Sequence, residues 1–125
     1  MELSPVLLVD DDRHALEALA LLLKYSGIET VTADDGERAL QLLRDGLHPC
    51  LIVLDLMMPG KDGFAFRAEQ LADAALADIP VIVCSAAFDT RGAAARLNAT
   101  AYIEKPVEAR ELLRLIRQHT SPIAI

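Results

Sequence analysis

Val6-Leu7-Leu8-Val9-Asp10-Asp11-Asp12 joins a wholly apolar run to three consecutive carboxylates. A strand with one wet face alternates apolar and polar residues, whereas an unbroken apolar run suits a strand covered on both faces, as in a parallel sheet under helices. The pattern recurs at Leu51-Ile52-Val53-Leu54, followed by Asp55, and at Val81-Ile82-Val83-Cys84, followed by Ser85. Each stretch reads as a short buried strand that delivers a polar residue at its carboxyl end.

Working outward, the segments between these runs have helical period. From Arg13 to Ser26 the leucines at 16, 19, 22 and 23 recur every three or four residues, and Gly27 stands where a helix terminates. Ile28 to Thr32 is a short β-favouring run, and Asp34 with Glu37 resembles a capping pair for a helix that stops near Gly46, before His48-Pro49. Met57 to Gly63 is a loop, because Pro59, Gly60 and Gly63 disfavour a helix there, and a third helix is expected from about Phe64 to Leu76. A short Ala-rich helix over about Asp89 to Leu97, a fifth strand holding Tyr102-Ile103, and an amphipathic helix from Val107 to His119 complete the series. Five strands alternating with helices predict a doubly wound α/β fold with a parallel sheet. In such sheets the site lies beyond the carboxyl ends of the strands.

Composition narrows the function. The 125 residues, 53% of them hydrophobic, suit one domain over 1–125 with a tail or cut linker at 120–125. A formal charge of −7 argues against direct nucleic-acid binding, which needs cationic surface. The longest apolar run, Ala18 to Leu23, is too short to span a membrane, and the opening Met1-Glu2 is not a basic signal segment, so the expected location is cytoplasmic. His14, His48 and His119 are scattered and read as surface or packing residues. Cys50 and Cys84 should stand about four residues of rise apart in neighbouring strands, roughly 13 Å, too far for a disulfide.

The strand ends should bring Asp10, Asp11, Asp55, Ser85 and Lys105 to one edge. A close pair of carboxylates repels by about 4 kcal/mol at about 4 Å for an effective dielectric of about 20, so a compensating cation is required. Mg²⁺ binds through one or two carboxylates with water and a phosphoryl oxygen, and Lys105 supplies a fixed positive charge. No histidine is placed as a hydrolase base, so the set suits phosphoryl transfer, with Asp55 as the nucleophile and Asp10 and Asp11 holding metal. Asp12 is left to cap the first helix.

Leu8-Val9-Asp10-Asp11, Leu54-Asp55-Leu56-Met57-Met58-Pro59-Gly60-Lys61-Asp62-Gly63, Ser85-Ala86 and Tyr102-Ile103-Glu104-Lys105-Pro106, in that order, resemble the receiver domain of bacterial response regulators, with the likeness running over essentially the whole chain. The resemblance implies a flavodoxin-like five-stranded sheet of order 2-1-3-4-5 with five helices. It implies that Asp55 accepts a phosphoryl group from a phosphohistidine on a sensor kinase or phosphotransfer protein. Asp11, Asp55 and the main-chain carbonyl of Met57 would bind Mg²⁺, Asp10 would assist through water, and Ser85 and Lys105 would hold the phosphoryl oxygens. Ser85 and Tyr102 would form the switch, with the fourth helix, fifth strand and fifth helix as its moving part. The output would go to a partner protein or an effector domain absent from this chain. Beyond its own phosphorylation and dephosphorylation the protein would be no enzyme. A cis bond before Pro106 also follows from the resemblance.

Departures and rivals remain. Lys105 follows Ser85 by only twenty positions, so the fourth helix should be short or displaced. Asn98 stands where receivers commonly carry glycine, and it tolerates the left-handed conformation. Met57 and Ala87 cannot activate or orient water, which is consistent with slow self-dephosphorylation, while Met58 and Phe88 read as packing. A haloacid-dehalogenase-type phosphatase would need a second acid at Met57, and three aspartates would repel a flavin phosphate. The surviving alternative is a receiver-like interaction module that is never phosphorylated.

Overall fold

The computed structural model describes residues 4–58, 60–86 and 90–120. The readings attached to Pro59, Ala87, Phe88, Asp89 and the stretch 121–125 lie outside these residues.

Five strands and five helices alternate: β1 (Val6–Val9), α1 (Arg13–Tyr25), β2 (Thr30–Ala33), α2 (Gly36–Arg44), β3 (Leu51–Asp55), α3 (Gly63–Ala72), β4 (Val81–Ser85), α4 (Thr90–Arg96), β5 (Ala101–Glu104) and α5 (Ala109–His119). The sheet is parallel throughout, in the order β2-β1-β3-β4-β5. This is the doubly wound, flavodoxin-like arrangement that the apolar runs and the resemblance imply. Successive side chains point to opposite faces. Leu7, Val9, Ile52, Leu54, Val81 and Val83 therefore meet α2, α3 and α4 on one face. Val6, Leu8, Leu51, Val53 and Ile82 meet Leu16 and Leu23 of α1 and Leu112 and Ile116 of α5 on the other.

The ends of several elements differ from expectation, each for a local reason. The second strand begins at Thr30 rather than Ile28 because Ile28 completes the end of α1. The Gly27 amide bonds the Lys24 carbonyl at 3.0 Å and the Ile28 amide bonds the Leu23 carbonyl at 2.8 Å, with Gly27 at φ +83°. That bond pair closes a helix through a left-handed residue and commits the next residue to the cap. The cap of α2 is Asp35, not Asp34: its side chain accepts from the Arg38 amide at 2.7 Å, while Asp34 pairs with Arg13 at 2.7 Å. The third helix stops at Ala72, short of Leu76, since the Asp73 carboxylate accepts from the Ala75 amide at 3.0 Å and starts a separate turn. The fifth helix begins at Ala109, two residues later than expected, with Glu108 as its N-cap residue.

Other expectations hold. Asp12 caps α1 by accepting from the Ala15 amide at 3.2 Å. The fourth helix is short, spanning 7 residues, and Asn98 has φ +54°. The bond between Lys105 and Pro106 is cis. Cys50 and Cys84 are both free thiols. Among the described residues no helix is long and apolar enough to cross a membrane.

Candidate functional site

Asp55 and Ser85 are the last residues of β3 and β4, one residue beyond the apolar runs, so the sheet places both at the same edge. The register pairs Asp55 with Cys84 and Ser85 with Glu104, while Val9, just before Asp10, pairs with Leu54, just before Asp55. Parallel strands in register thus carry polar residues distant in sequence to adjacent positions.

Carboxylate oxygens of Asp10, Asp11 and Asp55 lie within 4.8 Å of one another; Asp10 and Asp55 are buried and Asp11 is exposed. Lys105 reaches into this cluster from the end of β5, its Nζ 2.9 Å from Asp10 Oδ2 and 3.4 Å from Asp55 Oδ2. The other Asp10 oxygen accepts from the Asp12 amide at 3.0 Å, and the other Asp55 oxygen accepts from the Met57 amide at 3.3 Å. Both buried carboxylates are therefore held at both oxygens.

The electrostatics follow from this crowding. Burial first, and then the Asp10 charge, push the Asp55 carboxyl up to about 6, although Lys105 and the Met57 amide act the other way. Burial disfavours the charge on Lys105, yet its hydrogen bond with Asp10 and the two nearby carboxylates outweigh that cost and hold its pKa above the ordinary lysine value. Burial pushes the Cys84 thiol up to about 12, so it stays protonated beside the site. The donor set, three carboxylate oxygens with that of Asp11 on an exposed residue, fits a small hard cation, which favours oxygen ligands and tolerates several waters.

Ser85 is fully buried; its backbone carbonyl accepts from the Lys105 amide at 3.0 Å and from the Thr90 hydroxyl at 3.3 Å. Met57 lies beside the cluster, with its side chain largely exposed. Tyr102 stands apart from the carboxylates. It is 40% exposed and lines an open cleft of about 870 Å³ with Arg91, Ala94, Glu104, Pro106 and Arg114, between α4, β5 and α5.

Two supporting residues escaped the sequence reading. Gly63, assigned there to the loop, is the first residue of α3, and a Cβ on it would stand 2.6 Å from Leu56 Cα and 2.7 Å from the Asp55 carbonyl. Only glycine lets α3 start against the backbone of the Asp55 strand end. Lys61 ties the loop between them to its neighbours through Glu37 at 3.1 Å and through Glu69. The Asp62-Gly63 pair ahead of a helix was the available signal for the first; the second depends on tertiary packing.

Known proteins resemble this chain in sequence and fold. A family profile described as the response regulator receiver domain matches residues 6–117. The chain is 35% identical over 114 residues to the DNA-binding response regulator MtrA of Mycobacterium tuberculosis, covering 90% of this chain and 48% of that protein. It spans about half the length of the curated relatives it matches. Among solved structures, the response regulator receiver protein of Pseudomonas putida superposes with a TM-score of 0.86 at 32% identity, covering 94% of this chain and 98% of that one. The response regulator TrrA of Thermotoga maritima, in complex with Mg²⁺ and BeF, gives 0.81 at 28% identity, covering 93% and 98%. With a matched profile over nearly all of its length and the same five-stranded topology, this chain belongs to the response regulator receiver domain family.

Proposed function

We propose that this chain is a phosphorylatable receiver in which Asp55 takes a phosphoryl group from a phosphohistidine of a sensor kinase or histidine phosphotransfer protein. The observation that carries the reading is the meeting of carboxylate oxygens of Asp10, Asp11 and Asp55 within 4.8 Å of one another at one strand edge, with Lys105 in ion-pair reach of Asp10 and Asp55. One Asp55 carboxylate oxygen attacks phosphorus as the phosphorus–nitrogen bond of a phosphohistidine protonated on its other ring nitrogen breaks, the bond's electron pair returning to nitrogen, leaving an acyl phosphate on Asp55 and a neutral imidazole on the donor. The Met57 amide steadies the other Asp55 oxygen. Lys105 is placed to follow the transferred charge, since its ammonium already touches Asp55. Ser85, at the adjacent strand end, is the hydroxyl assigned to the phosphoryl oxygens.

Asp10, Asp11, Asp55 and the Met57 carbonyl would hold Mg²⁺, with Asp10 acting through water; that ion supplies neutralisation of the phosphoryl charge as it transfers. The bound complex of TrrA with Mg²⁺ and BeF supports this reading by family likeness. Catalysis is confined to the chain's own phosphorylation and dephosphorylation. Output passes to a partner protein or to an effector domain joined to this one, with no nucleic acid bound by the receiver itself.

The test is intact-protein mass spectrometry after exposure to acetyl phosphate and Mg²⁺. The wild type should gain one phosphoryl adduct, and Asp55→Asn should gain none. A wild type without an adduct would favour a receiver-like module that works unphosphorylated.

A further inference from the structure

Arg67, on α3, is a buried charge that the proposed chemistry does not use: it is 4% exposed, and among the described residues it forms no ion pair. Its donors go to neutral acceptors, Nε to the Leu97 carbonyl at 3.0 Å, Nη2 to the Asn98 carbonyl at 2.9 Å and Nη1 to Gln70 Oε1 at 2.7 Å. Gln70 is itself fully buried and is fixed by its amide, which donates to the Leu76 and Ile79 carbonyls at 3.0 Å each. A guanidinium buried without a carboxylate needs a compensating field.

The end of α4 supplies it. The Asn98 amide bonds the Ala95 carbonyl at 3.1 Å and the Ala99 amide bonds the Ala94 carbonyl at 2.9 Å, with Asn98 in the left-handed conformation. The carbonyls of Leu97 and Asn98 lie at the terminus of this cap, where helix carbonyls lack intrahelical partners and carry the negative end of the helix dipole. Arg67 satisfies both. At the opposite end of α4 the Thr90 hydroxyl donates to the carbonyl of Ser85, the residue that closes β4 in the site. One end of α4 is thus bolted to α3, and the other rests on the site.

We propose that Arg67 is a positioning residue that pins the C-terminal end of α4, so that a shift at Ser85 is taken up as a pivot of α4 about Leu97 and Asn98. This deepens the receiver reading and rests on it only for the stimulus. The helix is about 10 Å long at about 1.5 Å per residue, so a displacement of about 1 Å at Thr90 tilts it by about 6°. Arg91 then moves further than Ala95, and the cleft shared with Tyr102 changes shape mainly at its Arg91 side.

Two NMR measurements on the whole chain test this. In metal-free protein, Arg67→Met should speed amide exchange at Leu97, Asn98 and Ala99 at least tenfold, with the β3–β4 amides unchanged. Arg67→Lys keeps the charge but cannot reach all three acceptors, so it should rescue only part of the protection, and it serves alone if the methionine variant does not fold. Unchanged exchange at these amides, or equal acceleration through the sheet, overturns the pin. With Mg²⁺ and beryllofluoride added to wild type, the Thr90 and Arg91 resonances should move while the Arg67 Nε–H and the Leu97 to Ala99 amides hold still; equal movement at both ends overturns the pivot. Absence of any response around Asp55 would instead count against the receiver reading, and the exchange measurement would still decide the pin.

Discussion

Lys105 Nζ stands 2.9 Å from Asp10 Oδ2, across 95 positions of sequence. The pair bridges the end of β5 to the end of β1, so the lysine acts as an internal counter-cation for the buried carboxylates as well as a candidate phosphoryl ligand. Lys105→Met would leave Asp10 and Asp55 facing each other without that charge. Removing one partner of a largely buried ion pair costs about 3 kcal/mol, somewhat less here because Lys105 is partly exposed. The expected outcome is a loss of about 2 kcal/mol in urea unfolding without metal. Saturating Mg²⁺ should raise the melting temperature more in Lys105→Met than in wild type, because the ion replaces the missing charge. An equal rise in both would show that Lys105 does not serve the cluster's charge balance.

The raised Asp55 value sets a pH dependence whose sign is unusual for a carboxylate. With a folded-state pKa of about 6 against an ordinary value of 3.8, the folded chain holds more protons than the unfolded one between those values. Stability should therefore fall as pH rises through that window, and the full cost, on the order of 3 kcal/mol, persists above it. Asp55→Asn removes the titration. It should be more stable than wild type at pH 7.5 in EDTA and equal to it near pH 4, by chemical denaturation at both values. Mg²⁺ competes with the same proton, so wild-type affinity measured by calorimetry should rise about tenfold per unit below about pH 6 and level off above it.

Much of this centre was legible because strands covered on both faces announce themselves. The runs at Val6, Leu51 and Val81 located the three central strands, and whatever polar residue followed each run had to emerge at the same edge. Asp10, Asp55 and Ser85 could be placed in that way, whereas β2 and β5, at the sheet margins, carry mixed residues and gave less exact bounds. Asp34, with Glu37 three residues on, fits the local capping pattern, and the cap falls to Asp35 because Asp34 is taken by Arg13 across the loop, a contact no local pattern shows. Arg67 lies within the stretch expected as the third helix. Nothing local marks a side chain whose acceptors lie 30 and 31 positions away.

Gly63→Ala probes the mechanical support of the site. The added methyl would meet the Leu56 backbone at 2.6 Å, a contact that no side-chain rotation relieves. The start of α3 must then move away from β3, shifting the loop that carries Met57 and the far oxygen contact of Asp55. A destabilisation of about 3 kcal/mol is expected, in the range of overpacking in close-packed interiors. Weaker Mg²⁺ binding should accompany it in the fraction that remains folded. Phe64→Ala, one residue further on, is the control: it leaves the close approach intact and should spare the affinity. Full affinity in Gly63→Ala would show that the strand end tolerates displacement of α3.

In the proposed function Ser85 would join chemistry to switching, since it ends β4 at the strand edge that holds Asp55 and its carbonyl accepts from the Thr90 hydroxyl of α4. Replacing the hydroxyl alone, in Ser85→Ala, keeps the backbone contacts from Lys105 and Thr90 and so should keep the fold. Asp55 retains its carboxylate and lysine neighbours, and phosphorylation by acetyl phosphate with Mg²⁺ should still proceed. What is lost is the charge-assisted hydrogen bond to the phosphoryl group, worth about 1.5 to 3 kcal/mol, which biases the two states by roughly tenfold or more. Tyr102, partly exposed on the wall of the cleft, is the natural reporter. Its resonances should shift on addition of Mg²⁺ and beryllofluoride in wild type and shift much less in Ser85→Ala at equal occupancy. Identical shifts in the two proteins would take the relay away from Ser85 and leave the signal to reach Tyr102 by another route.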